Sequence, residues 1–101
     1  MQVIKIYWRD IPSQIIVKKG RLRAKHLLPT HFQKAVSRAA MRAGKGSSNL
    51  YIDDWRRETF SLKSGLEPKQ LAEEQSKEFA ASVTDEQLES LVKNKGLWPD
   101  Q

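Results

Sequence analysis

Hydrophobic and polar positions divide the chain into an extended N-terminal stretch and a helical remainder. Residues 3 to 9, Val-Ile-Lys-Ile-Tyr-Trp-Arg, are rich in β-branched and aromatic types, and Ile4, Ile6 and Trp8 share one side of a period-2 alternation, which predicts a strand. Asp10-Ile11-Pro12-Ser13 has turn chemistry, because proline presets φ and the flanking Asp and Ser can bond local backbone. Gln14 to Lys18 resumes with Ile15, Ile16 and Val17, completing a β-hairpin. Gly20 then opens a second turn, and Arg21, Arg23 and Lys25 alternate with Leu22 and Ala24. That segment reads as a third strand with a basic outer face in preference to an irregular arm. Two strands alone are marginal in water, so helices or a second copy must cover the hairpin.

From residue 30 onward the period changes to that of a helix. Thr30-His31-Phe32-Gln33 has the form of a capping box, Phe32, Ala35, Val36, Ala39, Ala40 and Ala43 follow at helical spacing, and Gly44 stands where a left-handed C-terminal cap belongs. After the polar loop 45–48, Leu50, Tyr51, Ile52, Trp55 and Phe60 suggest a short helix over 49–60. Glu67-Pro68 opens a third helix to about residue 82, with Leu71, Phe79 and Val83 inward. Thr84-Asp85-Glu86-Gln87 repeats the capping box before a fourth helix with Leu88, Leu91 and Val92 inward and Gly96 as its stop. Trp98 is expected to fold back onto the core. The fold class is therefore α+β: an N-terminal hairpin of two strands, or three, packed by three to four helices. One domain over 1–101 is expected, with 66–96 as a C-terminal helical hairpin, since 101 residues support one core.

Charge changes this picture more than composition does. Residues 1–49 carry eleven Lys or Arg against Asp10 alone, a net +10, and the rest of the chain carries −4, which together make the overall +6. Such one-sided charge repels itself unless something acidic relieves it. Phosphates, a carboxylate-rich protein surface, or the chain's own acidic helices can do so. The cations concerned are Arg9, Lys18, Lys19, Arg21, Arg23 and Lys25 from the strands and Arg38 and Arg42 from one stripe of the first helix. Tyr51, Trp55, Arg56 and Arg57 form a second candidate contact cluster.

Chemistry beyond charge is sparse. There is no cysteine and only His26 and His31, too few ligands for a site of three or four His or Cys, so neither a metal nor a cofactor is expected. The acid pairs Asp53-Asp54, Glu73-Glu74 and Asp85-Glu86 point about 100° apart on a helix and do not converge. No nucleophile elbow, phosphate-cradling Gly loop or dinucleotide fingerprint occurs. An enzyme is not expected. Lys5 and Arg9 interrupt the one apolar run near the N-terminus, and no window approaches a membrane span, so a cytoplasmic location without membrane contact is expected.

The chain resembles a family of small bacterial proteins, common in alphaproteobacteria, whose domain is labelled "virulence factor". The resemblance lies in residues 7–17, in Lys19-Gly20-Arg21, in Phe32-Gln33-Lys34-Ala35 leading to Arg38-Ala39-Ala40-Met41-Arg42-Ala43-Gly44, and in Tyr51 with Trp55-Arg56. It covers about residues 3–57. The resemblance implies an accessory protein with no catalytic residues to carry over, and one partner class, the machinery of cobalamin-dependent methyl transfer.

The function expected from these readings is a non-catalytic binding module whose basic N-terminal face docks an acidic protein. Nucleic acid, RNA included, is the alternative ligand for that face, bound weakly and without sequence preference. Self-association through an exposed strand edge is a further expectation.

Overall fold

The computed structural model describes residues 1–44 and 52–99. Four antiparallel strands, β1 (Gln2–Trp8), β2 (Ile11–Lys19), β3 (Leu22–Leu27) and β4 (Trp55–Ser61), form one sheet in the order β3-β2-β1-β4. Three helices, α1 (Thr30–Arg42), α2 (Pro68–Ala81) and α3 (Asp85–Lys93), complete the described α+β fold.

The first hairpin turns two residues earlier than its proline suggests. Trp8 pairs with Ile11 across Arg9-Asp10, so Pro12 and Ser13 lie inside β2. Arg9 adopts a left-handed φ of 53°, and the tip is tied down by bonds from Arg9 N–H to the Asp54 carbonyl (2.9 Å) and from Asp10 N–H to the Gly96 carbonyl (2.8 Å). Pro12 fits within the strand because the register slips beside it, between Ile6 and Tyr7, leaving Ser13 as the extra residue of a bulge. The Ser13 carbonyl accepts from Leu28 N–H (3.0 Å) and from the Gln33 side-chain amide (2.8 Å), which fastens the entry of α1 to the sheet.

The basic segment after Gly20 is a strand, β3, paired along its length with β2. Its two-residue loop places Gly20 at φ 58° and Arg21 in the ordinary negative-φ range, the arrangement of a type II′ hairpin.

The helix expected over 49–60 is not what its second half forms. Trp55–Ser61 is strand β4, paired with β1 from Gln2↔Ser61 to Trp8↔Trp55. An uncovered β1 edge offers a full row of backbone partners, and that long-range pairing outweighs a weak local helical spacing. Tyr51 lies outside the described residues.

Of the helix ends, α1 differs from its reading. Pro29 occupies the N-cap and no side chain caps the helix; Thr30 is already helical, and Gln33 turns to Ser13 and to the Leu28 carbonyl instead of back to Thr30. Gly44 has the expected left-handed φ, 72°. α2 begins with Pro68 inside a reciprocal box between Glu67 and Gln70, and α3 with the expected Thr84–Gln87 box, whose two bonds are 3.1 and 2.9 Å.

Helices cover one side of the sheet. α2 lies across β2 and β3, and α1 packs on β2 and on α3. Phe32, Ala35, Val36 and Ala39 of α1, Leu71 and Phe79 of α2, and Leu88, Leu91 and Val92 of α3 meet Val3, Ile15 and Val17 in one core. Past the bulge the strand alternation breaks, and Trp8 and Ile11, both fully buried, join that core. Trp98 packs against it from the C-terminal side, as expected, with its backbone N–H donating to the Asp10 carboxylate (2.9 Å).

Candidate functional site

Alternation along each strand sends successive side chains to opposite faces, so the register defines both faces. Val3, Lys5 and Tyr7 of β1 face the helices: Tyr7 meets Phe79 edge-on at 5.0 Å, and the Lys5 ammonium sits 5.4 Å from the Phe79 ring centroid. Three rows of paired residues occupy the opposite face. They run Arg23, Lys18, Gln2, Ser61, then Lys25, Ile16, Ile4, Thr59, and then Leu27, Gln14, Ile6, Arg57. Ile4 and Ile16 are only 4% and 6% exposed, yet neither belongs to the helix-packed core. The register sets the long side chains of Lys18 and Lys25 beside Ile16, and aliphatic stems of this kind cover apolar surface while their charged heads stay in water; Gln14, next on that face of the strand, has its side-chain oxygen buried.

This second face is an isoleucine centre rimmed by Lys18, Arg23, Lys25 and Arg57. The only carboxylate carried by any of the four strands is Glu58, on the helix side opposite Lys5. At one corner Ile6, Trp55, Arg56 and Arg57 line a shallow hollow of about 130 Å³. The alternation of Ile4 and Ile6 read from the sequence is real, but it marks this face and not the helix contact.

The other candidate cations go elsewhere. Arg38 makes a two-pronged bond to Glu89 at 2.7 and 3.0 Å, which raises its own pKa and lowers that of Glu89 below the usual carboxylate range. Both line the 290 Å³ surface groove between α1 and α3, so its charges answer each other. Arg42 is exposed on the last turn of α1, Arg21 lies in the β2–β3 turn, and Lys19 precedes that turn, pointing away from Lys18. Arg9 pairs with Asp54 (3.5 Å) and donates to the Lys95 carbonyl (2.9 Å). The basic series is thus split, and Lys18, Arg23 and Lys25 are the part joined by Arg57 on one surface.

The second cluster is also divided. Trp55 is half-buried against the core, while Arg56 is bound into a network at the hairpin tip. Its guanidinium lies 4.0 Å from the Tyr7 ring centroid and donates to the Arg9 carbonyl (2.7 Å), Glu58 (2.8 Å) and Asp10 (3.2 Å). The Tyr7 hydroxyl donates to the other Glu58 oxygen (3.0 Å). Burial, then the bonded Glu58 carboxylate, pushes the Tyr7 pKa up to about 12; the Arg56 hydrogen bond is the main cause of the lowered Glu58 pKa.

Among the described residues no three His, Asp or Glu side chains gather as metal ligands, and no helix is long and apolar enough to cross a membrane. The described fold is a small α+β module with a four-stranded sheet, α1, α2 and α3 packed on the side of Val3 and Tyr7, and Lys18, Arg23, Lys25 and Arg57 on the opposite side. The family model described as "Virulence factor" matches residues 6–92, and the chain belongs to that family. No curated protein and no solved structure matches it.

Proposed function

We propose that this virulence-factor-family domain is a non-catalytic docking module that holds an acidic protein partner on the face of its sheet opposite α1, α2 and α3. The observation that carries the reading is the register itself. It gathers Lys18, Arg23, Lys25 and Arg57 around Ile4, Ile6 and Ile16 and keeps the strands' one carboxylate on the other side. Ile4 and Ile16 are already buried, so the cations around them carry the recognition, and a rim of one sign steers and selects an acidic protein surface. Sheets that read single-stranded RNA stack bases on aromatic side chains, and the central positions here are isoleucines, so a protein surface is the better match.

The test is affinity capture from native lysate with two baits: the parent chain, and a variant carrying Lys18→Gln, Arg23→Gln, Lys25→Gln and Arg57→Gln. An acidic protein retained by the parent, lost from the variant, and bound again by the parent when both are purified supports the proposal. Equal retention by both baits overturns it, as does submicromolar, sequence-selective binding of a defined RNA or DNA at physiological salt.

A further inference from the structure

The face described above is small for a docking site by itself. Four strands about 4.8 Å apart and six residues long present roughly 300 Å², whereas a stable interface takes about 800 Å² from each partner. The backbone beside the face supplies what is missing. Leu62 N–H bonds the Met1 carbonyl and Arg9 N–H bonds the Asp54 carbonyl, so the odd-numbered residues of β1 turn their peptide groups toward β4 and the even-numbered ones toward β2. Carrying this alternation through the β1–β2 register turns the odd-numbered residues of β2 toward β3, in agreement with Leu28 N–H on the Ser13 carbonyl. Ala24 and His26 therefore bond β2, and Arg23, Lys25 and Leu27 direct their N–H and C=O groups outward from the edge of the sheet. These same three residues have their side chains on the cationic face.

We infer that the β3 edge accepts an extended acidic segment of the partner as a fifth, antiparallel strand. Every second residue of such a strand falls on the cationic face beside Arg23 and Lys25, where a carboxylate is matched. The residues between fall on the helix side beside Leu22, which is 57% exposed, and Ala24, where an apolar side chain is matched. A second copy of the chain fits less well, because two β3 edges paired antiparallel would set cations against cations. This inference rests on the proposed docking of an acidic protein and adds where and in what conformation it binds.

The test uses a fluorescent eight-residue peptide of alternating Glu and Val and a control of alternating Lys and Val. The peptides are titrated by anisotropy into the full-length parent and its Lys25→Gln and Lys25→Pro variants, and amide exchange of the parent is followed by NMR. Proline at 25 removes an outward N–H and leaves the β2–β3 ladder bonded. Both variants lack the charge, so the difference between them reads the backbone alone.

The expected result is binding of the Glu peptide in preference to the Lys peptide and slowed exchange at Arg23, Lys25 and Leu27. A further loss of affinity of at least fivefold is expected in Lys25→Pro relative to Lys25→Gln. Preferential binding of the Glu peptide without slowed exchange at those amides overturns strand addition and leaves acidic docking standing. Equal binding of the two peptides overturns both. Should Lys25→Pro fail to fold by circular dichroism, the exchange measurement on the parent decides alone.

Discussion

Arg56 lies with its guanidinium 4.0 Å from the centroid of the Tyr7 ring, and the two side chains hold opposite oxygens of one carboxylate, Glu58. The pair joins β1 to β4 on the helix side, while the Arg56 bonds to the Arg9 carbonyl and to Asp10 brace the hairpin tip. A planar fork that stacks and donates to three acceptors is a role lysine cannot fill. Arg56→Lys is expected to destabilise the fold by about 1 to 2 kcal/mol, the sum of a partly exposed cation–π contact and the lost charged hydrogen bonds. Urea denaturation of the parent, Arg56→Lys, Tyr7→Phe and the double variant measures it, and additive losses would show that the two side chains act independently.

The same network sets a pH response at each end of the scale. Glu58 has a folded pKa below its unfolded value of about 4.3. Its stabilisation is therefore complete above that value and lost as pH falls through the lowered one. Tyr7 has a folded pKa of about 12, above the unfolded value near 10. Its stabilisation is complete below pH 10 and lost as pH rises toward 12. Tyrosinate absorbance is expected to show one tyrosine ionising near pH 12 that vanishes in Tyr7→Phe, and Glu58→Gln is expected to flatten the acid limb of the stability curve.

Gly96 carries two constraints at once. Its φ is 90°, and a Cβ placed on it would stand 2.7 Å from the ring of Trp8. Gly96→Ala is therefore expected to cost about 2 to 4 kcal/mol, from left-handed strain plus overpacking. A thermal melt equal to the parent's would mean that the segment after α3 can lift off the hairpin tip.

The two tryptophans paired across β1 and β4 are unequal. Trp8 is fully buried, so Trp8→Ala is expected to cost about 3 to 5 kcal/mol. Trp55 is half-buried, and Trp55→Ala is expected to cost distinctly less, about 1 to 3 kcal/mol. Equal losses in chemical denaturation would place Trp55 fully inside the core.

Duplex DNA tests how many of the cations act together. Four basic groups on one face give a logarithmic salt slope of about −3 to −4, with dissociation constants of roughly 10⁻⁴ to 10⁻⁶ M at physiological salt. Replacing Arg23 and Lys25 by Gln is expected to bring the slope near −2. Arg38→Gln is expected to leave it unchanged, because Glu89 already holds Arg38. A slope steeper than about −6 would mean that Arg21, Arg42 and the helix cations join the same surface.

The sequence by itself determined the local features of this protein. The β-branched runs gave the first two strands, Gly20 the tight turn into β3, Glu67-Pro68 and Thr84–Gln87 the starts of α2 and α3, and apolar spacing the buried faces of the helices. These are short-range consequences of propensity, capping and periodicity, and each needs only a few consecutive residues. Three things were decided by tertiary structure. Trp55–Ser61 became a strand because β1 offered it an edge, and Gln33 left its expected capping role because the bulge brought the Ser13 carbonyl within its reach. Ile4, Ile6 and Ile16 came to lie on the face away from α1, α2 and α3 because those helices took the side of Val3 and Tyr7. The candidate site follows from the last of these. A charge count places eleven cations in residues 1–49, but the hydrogen-bonded register sets Lys18, Arg23 and Lys25 on one face with Arg57, while Arg9 and Arg38 turn to Asp54 and Glu89, many residues away in sequence.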